Sequence, residues 1–201
     1  MFSKNGGKIF FGGYDHSLLA NPQKDIAWMK TTSDEEYTIN LQDLKIGGIL
    51  MPSGPLTAKI DSGVSMTYLT KKQHRVILQA IDAQCKNKYK CFGQKVSPGC
   101  YKFEPTDQVS MKDFYMSYPI VSFLTYEDKA IQWFPSDYLY QQYPNVYCFA
   151  ADPVAENDSS LVFGASFLRQ NLVIFDIENS QVGIARANSQ ECIEMTDGST
   201  D

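Results

Sequence analysis

Lys59 to Thr70 reads KIDSGVSMTYLT, and no other stretch limits the possible folds as tightly. A β-branched apolar residue, Ile60, runs into Asp61-Ser62-Gly63, and an apolar-rich run from Met66 to Leu69 follows. This pattern predicts a buried strand that ends in a tight turn with one carboxylate at its tip. Gly63 permits a sharp turn or the close approach of another backbone. Ser62 supplies a short hydroxyl that can bond neighbouring main chain, and Ser65 supplies a second. Taken alone, the tripeptide is an ordinary turn, since Asp, Ser and Gly all favour turns. The flanking segments must decide whether it is more than that.

Those segments read mostly as strands. Ile9 to Phe11 lies between two Gly pairs and is expected to be an apolar strand. Ile26 to Met29 is a second short strand. The apolar residues of Tyr37 to Leu41 alternate, as in a half-buried strand. Leu44 to Ile46 leads to a hairpin turn at Gly47-Gly48. Thr70 is a good helix N-cap with Gln73 three residues on. After it, Val76, Ile77, Ala80 and Ile81 form one apolar stripe, with His74 outside it and expected to be exposed. Cys85 to Cys100 reads as a loop. From Phe114 the chain reads as β again, with a hairpin from Ile120 to Trp133 and a last one from Asn171 to Ala187. Residues 188–201 read as a polar tail.

Composition bounds the chemistry. The 201 residues are 43% hydrophobic and 20% charged, a globular balance, and the twelve Tyr and twelve Phe favour β structure. A net charge of -5, with no basic run longer than Lys71-Lys72, argues against nucleic-acid binding. No apolar run approaches the roughly 18 residues of a membrane span. The first residues, MFSKNGGKIFFGG, carry no signal-peptide hydrophobic region. Five cysteines without a Cys-x-x-Cys pair, and only two histidines, argue against a zinc site, so no metal or other cofactor is expected. Disulfides fit the cysteines better and imply an oxidising compartment. The sequon Asn157-Asp158-Ser159 leans the same way.

In their order, four segments resemble the C-terminal lobe of a pepsin-like eukaryotic aspartic endopeptidase, over about residues 6–187. GGKIFFGGYDHS resembles the family's inter-lobe strand motif. KIDSGVSMTYLT resembles its second catalytic Asp-Thr/Ser-Gly loop. YPIVSFLTYEDKAIQWFPSDYLYQQ resembles its Pro-x-Ile/Val-x-Phe hairpin, and LVFGASFLRQNLVIFDIENSQVGIA resembles its closing element. The resemblance implies an all-β lobe of a bilobal fold with one or two short helices, spanning residues 1–187, and a peptide or protein substrate.

It also implies roles for particular residues. Asp61 would be one of two carboxylates that share a proton; the aspartic proteases are themselves the reference case of that effect. Ser62 would tie the two catalytic loops together, with Gly63 and Ser65 supporting the turn. Gly164 would belong to the strand that threads against the loop, and Thr67 is expected to pack or bond locally. Cys100 with Cys148 fits a family disulfide, and Cys85 with Cys91 could close locally, leaving Cys192 over unless it pairs with one of those two. The family points to the secretory route, a lysosome or vacuole, or the extracellular space.

Two departures stand out. Only one such aspartate loop is present, so the N-terminal lobe of the same protease is expected as the partner. Val64 replaces the usual hydroxyl residue three after the aspartate. A catalytically inactive lobe that binds peptides or proteins is the alternative. A homodimer pairing two copies of Asp61 is disfavoured by the length and elaboration of the lobe.

Overall fold

The computed structural model describes residues 2–3, 6–21, 26–33, 35–51, 55–87, 90–127, 129–154 and 160–188. The sequon at Asn157, Cys192, and the tail beyond Asn188 lie outside these residues, as do Pro52 to Gly54 and Asp128.

In chain order come β1 (Phe2–Ser3), β2 (Gly6–Gly7), β3 (Ala27–Lys30), β4 (Thr38–Ile46), β5 (Ile49–Met51), β6 (Leu56–Ile60) and β7 (Thr67–Leu69). Next are α1 (Lys71–Asn87), β8 (Gln94–Ser97), β9 (Cys100–Lys102), α2 (Met111–Met116), β10 (Val121–Thr125), β11 (Ala130–Trp133) and α3 (Pro135–Tyr138). The chain continues with β12 (Leu139–Tyr143), β13 (Val146–Phe149), β14 (Ala151–Pro153), β15 (Ser160–Phe163), α4 (Ala165–Leu168), β16 (Asn171–Asp176) and β17 (Gln181–Arg186).

The main sheet has the order β11-β10-β4-β6-β15-β7-β14, with β5 paired to β4. Its inner face follows from strand alternation: Leu56, Ala58 and Ile60 of β6 are buried, as are Val121 and Phe123 of β10 and Ile131 and Trp133 of β11. Along β4 the alternation slips between Leu41 and Leu44. The register against β10 shifts at Leu124/Thr125, and this bulge returns Leu44 and Ile46 to the core. Among the described residues three smaller sheets accompany it, β12-β13-β9-β8, β16-β17-β3 and the β1-β2 pair. The hairpin expected from Asn171 to Ala187 forms as β16 and β17.

Several expectations need correction. Among the described residues there are four α-helices, not one or two short ones, and α1 alone has 17 residues. Helix α2 includes Phe114, where renewed β structure was expected. A Ser110-Asp113 capping box starts this helix, and Phe114 is its buried contact. Pro135 at the first turn sets α3. Cys85 to Cys100 is not simply a loop: Cys85 lies within α1, and β8 and β9 form a hairpin before Tyr101 enters the core.

The segment Ile9 to Phe11 is not a strand. It pairs with no described strand, and Ile9 and Phe11 are 79% and 96% exposed. An apolar segment needs a neighbouring strand before its period becomes a ladder. His74 is half-buried rather than exposed, its ring 5.7 Å from that of Phe149. On α1 the fully buried line is Gln73, Ile77, Ile81 and Gln84, with Val76 and Ala80 half-buried. Gln84 is tolerated there because its side-chain amide donates to the carbonyl of Ile46.

Candidate active site

Strand β6 delivers Asp61. The Ile60 amide donates to Tyr37 O (2.9 Å) and the Asp61 amide to Phe163 O (3.1 Å), so the main chain is held on both sides up to the aspartate. The chain then reverses through Ser62 and Gly63. The Gly63 amide donates to Asp61 Oδ1 at 2.9 Å and fixes the carboxylate rotamer. Asp61 Oδ2 is left toward Lys59 Nζ at 3.8 Å, with the side chain 32% exposed. That ammonium is held first by Glu36 Oε1 at 2.7 Å, whose hydrogen bond and charge keep Lys59 above the usual lysine range, with Asp61 adding a smaller contribution. Lys59 is a neighbour of the carboxylate that the sequence reading did not single out. Its place two residues before Asp61 puts it on the same side of the strand.

Strand β15 frames the turn. It lies between the two arms of the loop, parallel to β6 (Phe163 opposite Ile60) and antiparallel to β7 (Val162 opposite Tyr68). At its end Gly164 runs so close to the loop that a β-carbon would lie 2.1 Å from Met66 O and 2.7 Å from Val64 O. No side chain fits there. Beyond Gly164, the amides of Ala165 and Ser166 donate to Val64 O (2.7 Å) and Ser65 O (3.0 Å). Phe163 and Phe167 stack beneath with centroids 3.9 Å apart.

Ser166 was also missed by sequence reading. Its hydroxyl accepts from the Thr67 amide (2.8 Å), lies 2.9 Å from Thr67 Oγ1, and donates to Ala150 O (2.8 Å). Thr67 is wholly buried, as expected of a packed residue, but its hydrogen bonds run to Ser166, 99 residues away, and not to a local partner. The only available signal was a serine two residues past a strand-ending glycine. Asp61, Gly63 and Gly164 thus come together, while Ser62 and Ser65 sit exposed at the rim of the loop. Val64 is half-buried behind it.

Both expected cysteine pairs are disulfides, Cys85 with Cys91 and Cys100 with Cys148. The second joins directly opposed residues of β9 and β13. Among the described residues, no three His, Cys, Asp or Glu side chains gather in a way that could hold a metal ion. No helix among them is long and apolar enough to cross a membrane.

A β lobe whose Asp-Ser-Gly turn is clasped by a glycine-ended strand defines a pepsin-like aspartic protease architecture. The family model described as eukaryotic aspartyl protease matches residues 2–187, and the chain belongs to that family. Among curated relatives, aspartic proteinase 36 of Arabidopsis thaliana is 26% identical over 97% of this chain and 40% of its own length. Gastricsin of Rattus norvegicus is 29% identical over 90% of the chain and 42% of its own length. Plasmepsin VIII of Plasmodium berghei is 24% identical over 91% and 47%. The chain therefore spans less than half the length of these relatives.

Proposed function

We propose that this chain is the C-terminal lobe of a bilobal aspartic endopeptidase and contributes Asp61 as one member of its catalytic pair. The observation that carries this reading is the Asp61 turn itself, with one carboxylate oxygen tied to the Gly63 amide and the loop braced by Gly164 and Ser166. One oxygen is fixed and the other is left for chemistry. The chain carries a single such loop, and the partner carboxylate comes from an N-terminal lobe across the Ser62-Gly63 rim. Like charges about 3 Å apart do not both ionise. The ionised member then activates a water, and the protonated member donates to the scissile carbonyl of a peptide.

On this reading residues 1–187 are the lobe and 188–201 a tail. The two disulfides favour an oxidising compartment along the secretory route, lysosomal, vacuolar or extracellular. The purified chain should not cleave denatured haemoglobin at acidic pH at concentrations where it is monomeric. Activity should appear when a family N-terminal lobe is supplied and vanish with Asp61→Asn. Cleavage by the monomer overturns the proposal, and activity rising as the square of concentration would instead point to a homodimer. The alternative reading is a non-catalytic lobe that binds peptides. Peptide binding unchanged by Asp61→Asn, with no activity on adding the second lobe, would select it.

A further inference from the structure

Far from Asp61, a cavity of about 750 Å³ opens between the outer face of the main sheet and helices α2 and α3. Its floor is a row across three strands: Lys45 of β4, Ser122 of β10 and Gln132 of β11 stand abreast in register. The opposite wall holds Tyr115 of α2 and Phe134, which leads into α3, with Lys112 also lining the cavity. Strand β4 meets the Asp61 end of β6 at Thr38, opposite Lys59. Lys45 lies seven residues further along, about 24 Å at ~3.4 Å per residue.

The charged side chains that line this cavity are both lysines, Lys45 and Lys112. No carboxylate lines it among the described residues. Asp113, next to Lys112 in sequence, is turned to Ser110, whose amide and hydroxyl donate to Oδ2 at 2.9 and 2.6 Å. Asp137 behind Ser136 is fully buried and held by Arg186. Lys45 and Lys112 make no ion pair among the described residues. In a chain of net charge -5, two ammonium groups with no ion pair among the described residues, Lys112 acting only weakly on the neighbouring Asp113, stand beside an aromatic wall and are complementary to an anion with an apolar body. The volume matches sites for small molecules, about 300–1,000 Å³, rather than a groove for an extended peptide.

We propose that this cavity binds a small amphipathic carboxylate. Its apolar body lies against Tyr115 and Phe134, and its head group meets Lys45 and Lys112. The site is independent of Asp61 and of the proteolytic reading.

Dodecanoate is the probe, titrated calorimetrically into the 201-residue chain, with dodecanol and a Glu-rich decapeptide as comparisons. One dodecanoate should bind per chain. Dodecanol, and dodecanoate on a Lys45→Met/Lys112→Met variant, should bind about tenfold more weakly, the loss expected for charge-assisted bonds. Ser122→Phe, which fills the floor, should abolish binding. A thermal melt establishes that each variant is folded, and the lysine variant alone decides the matter where Ser122→Phe is not. No binding below the micelle concentration overturns the proposal. So does equal affinity for dodecanol, binding untouched in a folded Ser122→Phe, or the decapeptide binding more tightly than dodecanoate.

Discussion

A methyl group at position 164 has nowhere to go. The Met66 carbonyl is 2.1 Å from its ideal site, and a backbone atom cannot rotate aside as a side chain can. Gly164→Ala is therefore expected to cost about 3 kcal/mol or more, as severe overpacking does, and to displace the Val64-Met66 segment. Denaturant melts would check the stability. A wild-type-like midpoint would show that the loop yields at little cost. His74 gives a pH prediction. Burial against Phe149 holds it below the usual histidine range, although a bond to Ala151 main chain and the Asp152 charge oppose this. A depressed folded-state value means that the unfolded chain binds more protons, so stability is lost as pH falls below about 6.5. His74→Phe should flatten that loss, measured as midpoint against pH; an unchanged slope would assign the acid sensitivity to other groups. At the site itself, Asp61, Gly63 and Gly164 were legible because turn chemistry and a tight backbone crossing leave marks on local sequence. Lys59 and Ser166 were not. Their roles depend on Glu36 and Thr67, partners 23 and 99 residues away that no local pattern reveals.

The two disulfides close loops of very different length, six residues apart in one case and 48 in the other. Chain entropy then gives roughly 2.4 kcal/mol for Cys85-Cys91 and about 4 kcal/mol for Cys100-Cys148. Paired Cys→Ala variants should preserve that ranking in chemical denaturation. Equal losses would show that the 48-residue loop is already constrained in the unfolded chain by other contacts. Elements with strong periods were readable in advance: β4, helix α1 behind Thr70, and the β16-β17 hairpin. The shorter helices were not. Helix α2 has six residues and α3 and α4 four each, too short for an apolar stripe to repeat. They exist because Ser110, Pro135 and the bend after Gly164 start them and because Phe114, Tyr138 and Phe167 are wholly buried. Ile9 to Phe11 failed in the other direction. Its pattern is that of a strand, but pairing is a property of two segments and only one is present among the described residues.

That segment is expected to influence how the chain behaves in solution. Ile9, Phe10 and Phe11 are exposed, as are Phe175 and Ile177 on the β16 side of the small sheet. Exposed apolar surface beside an open sheet edge promotes association. Light scattering should show concentration-dependent growth that Phe10→Ser/Phe11→Ser reduces. A clean monomer at high concentration would mean that these side chains are covered in some other way.

Strand β15 carries a different consequence, one of timing. Thr57 and Ser160 face each other across the β6-β15 pair although 103 residues separate them. At synthesis rates of about 5–20 residues per second, Asp61 emerges roughly 5–20 s before the strand that frames it. Until then the aspartate turn has no Phe163 carbonyl to hold its amide and no Gly164 to clasp it. Pairings this distant in sequence form late, because the intervening chain must be ordered first. A nascent chain stalled before Ser160 therefore carries every atom of the turn but lacks the strand that clasps it. Residues 160–187 act as the latch that turns an ordinary Asp-Ser-Gly bend into a braced turn.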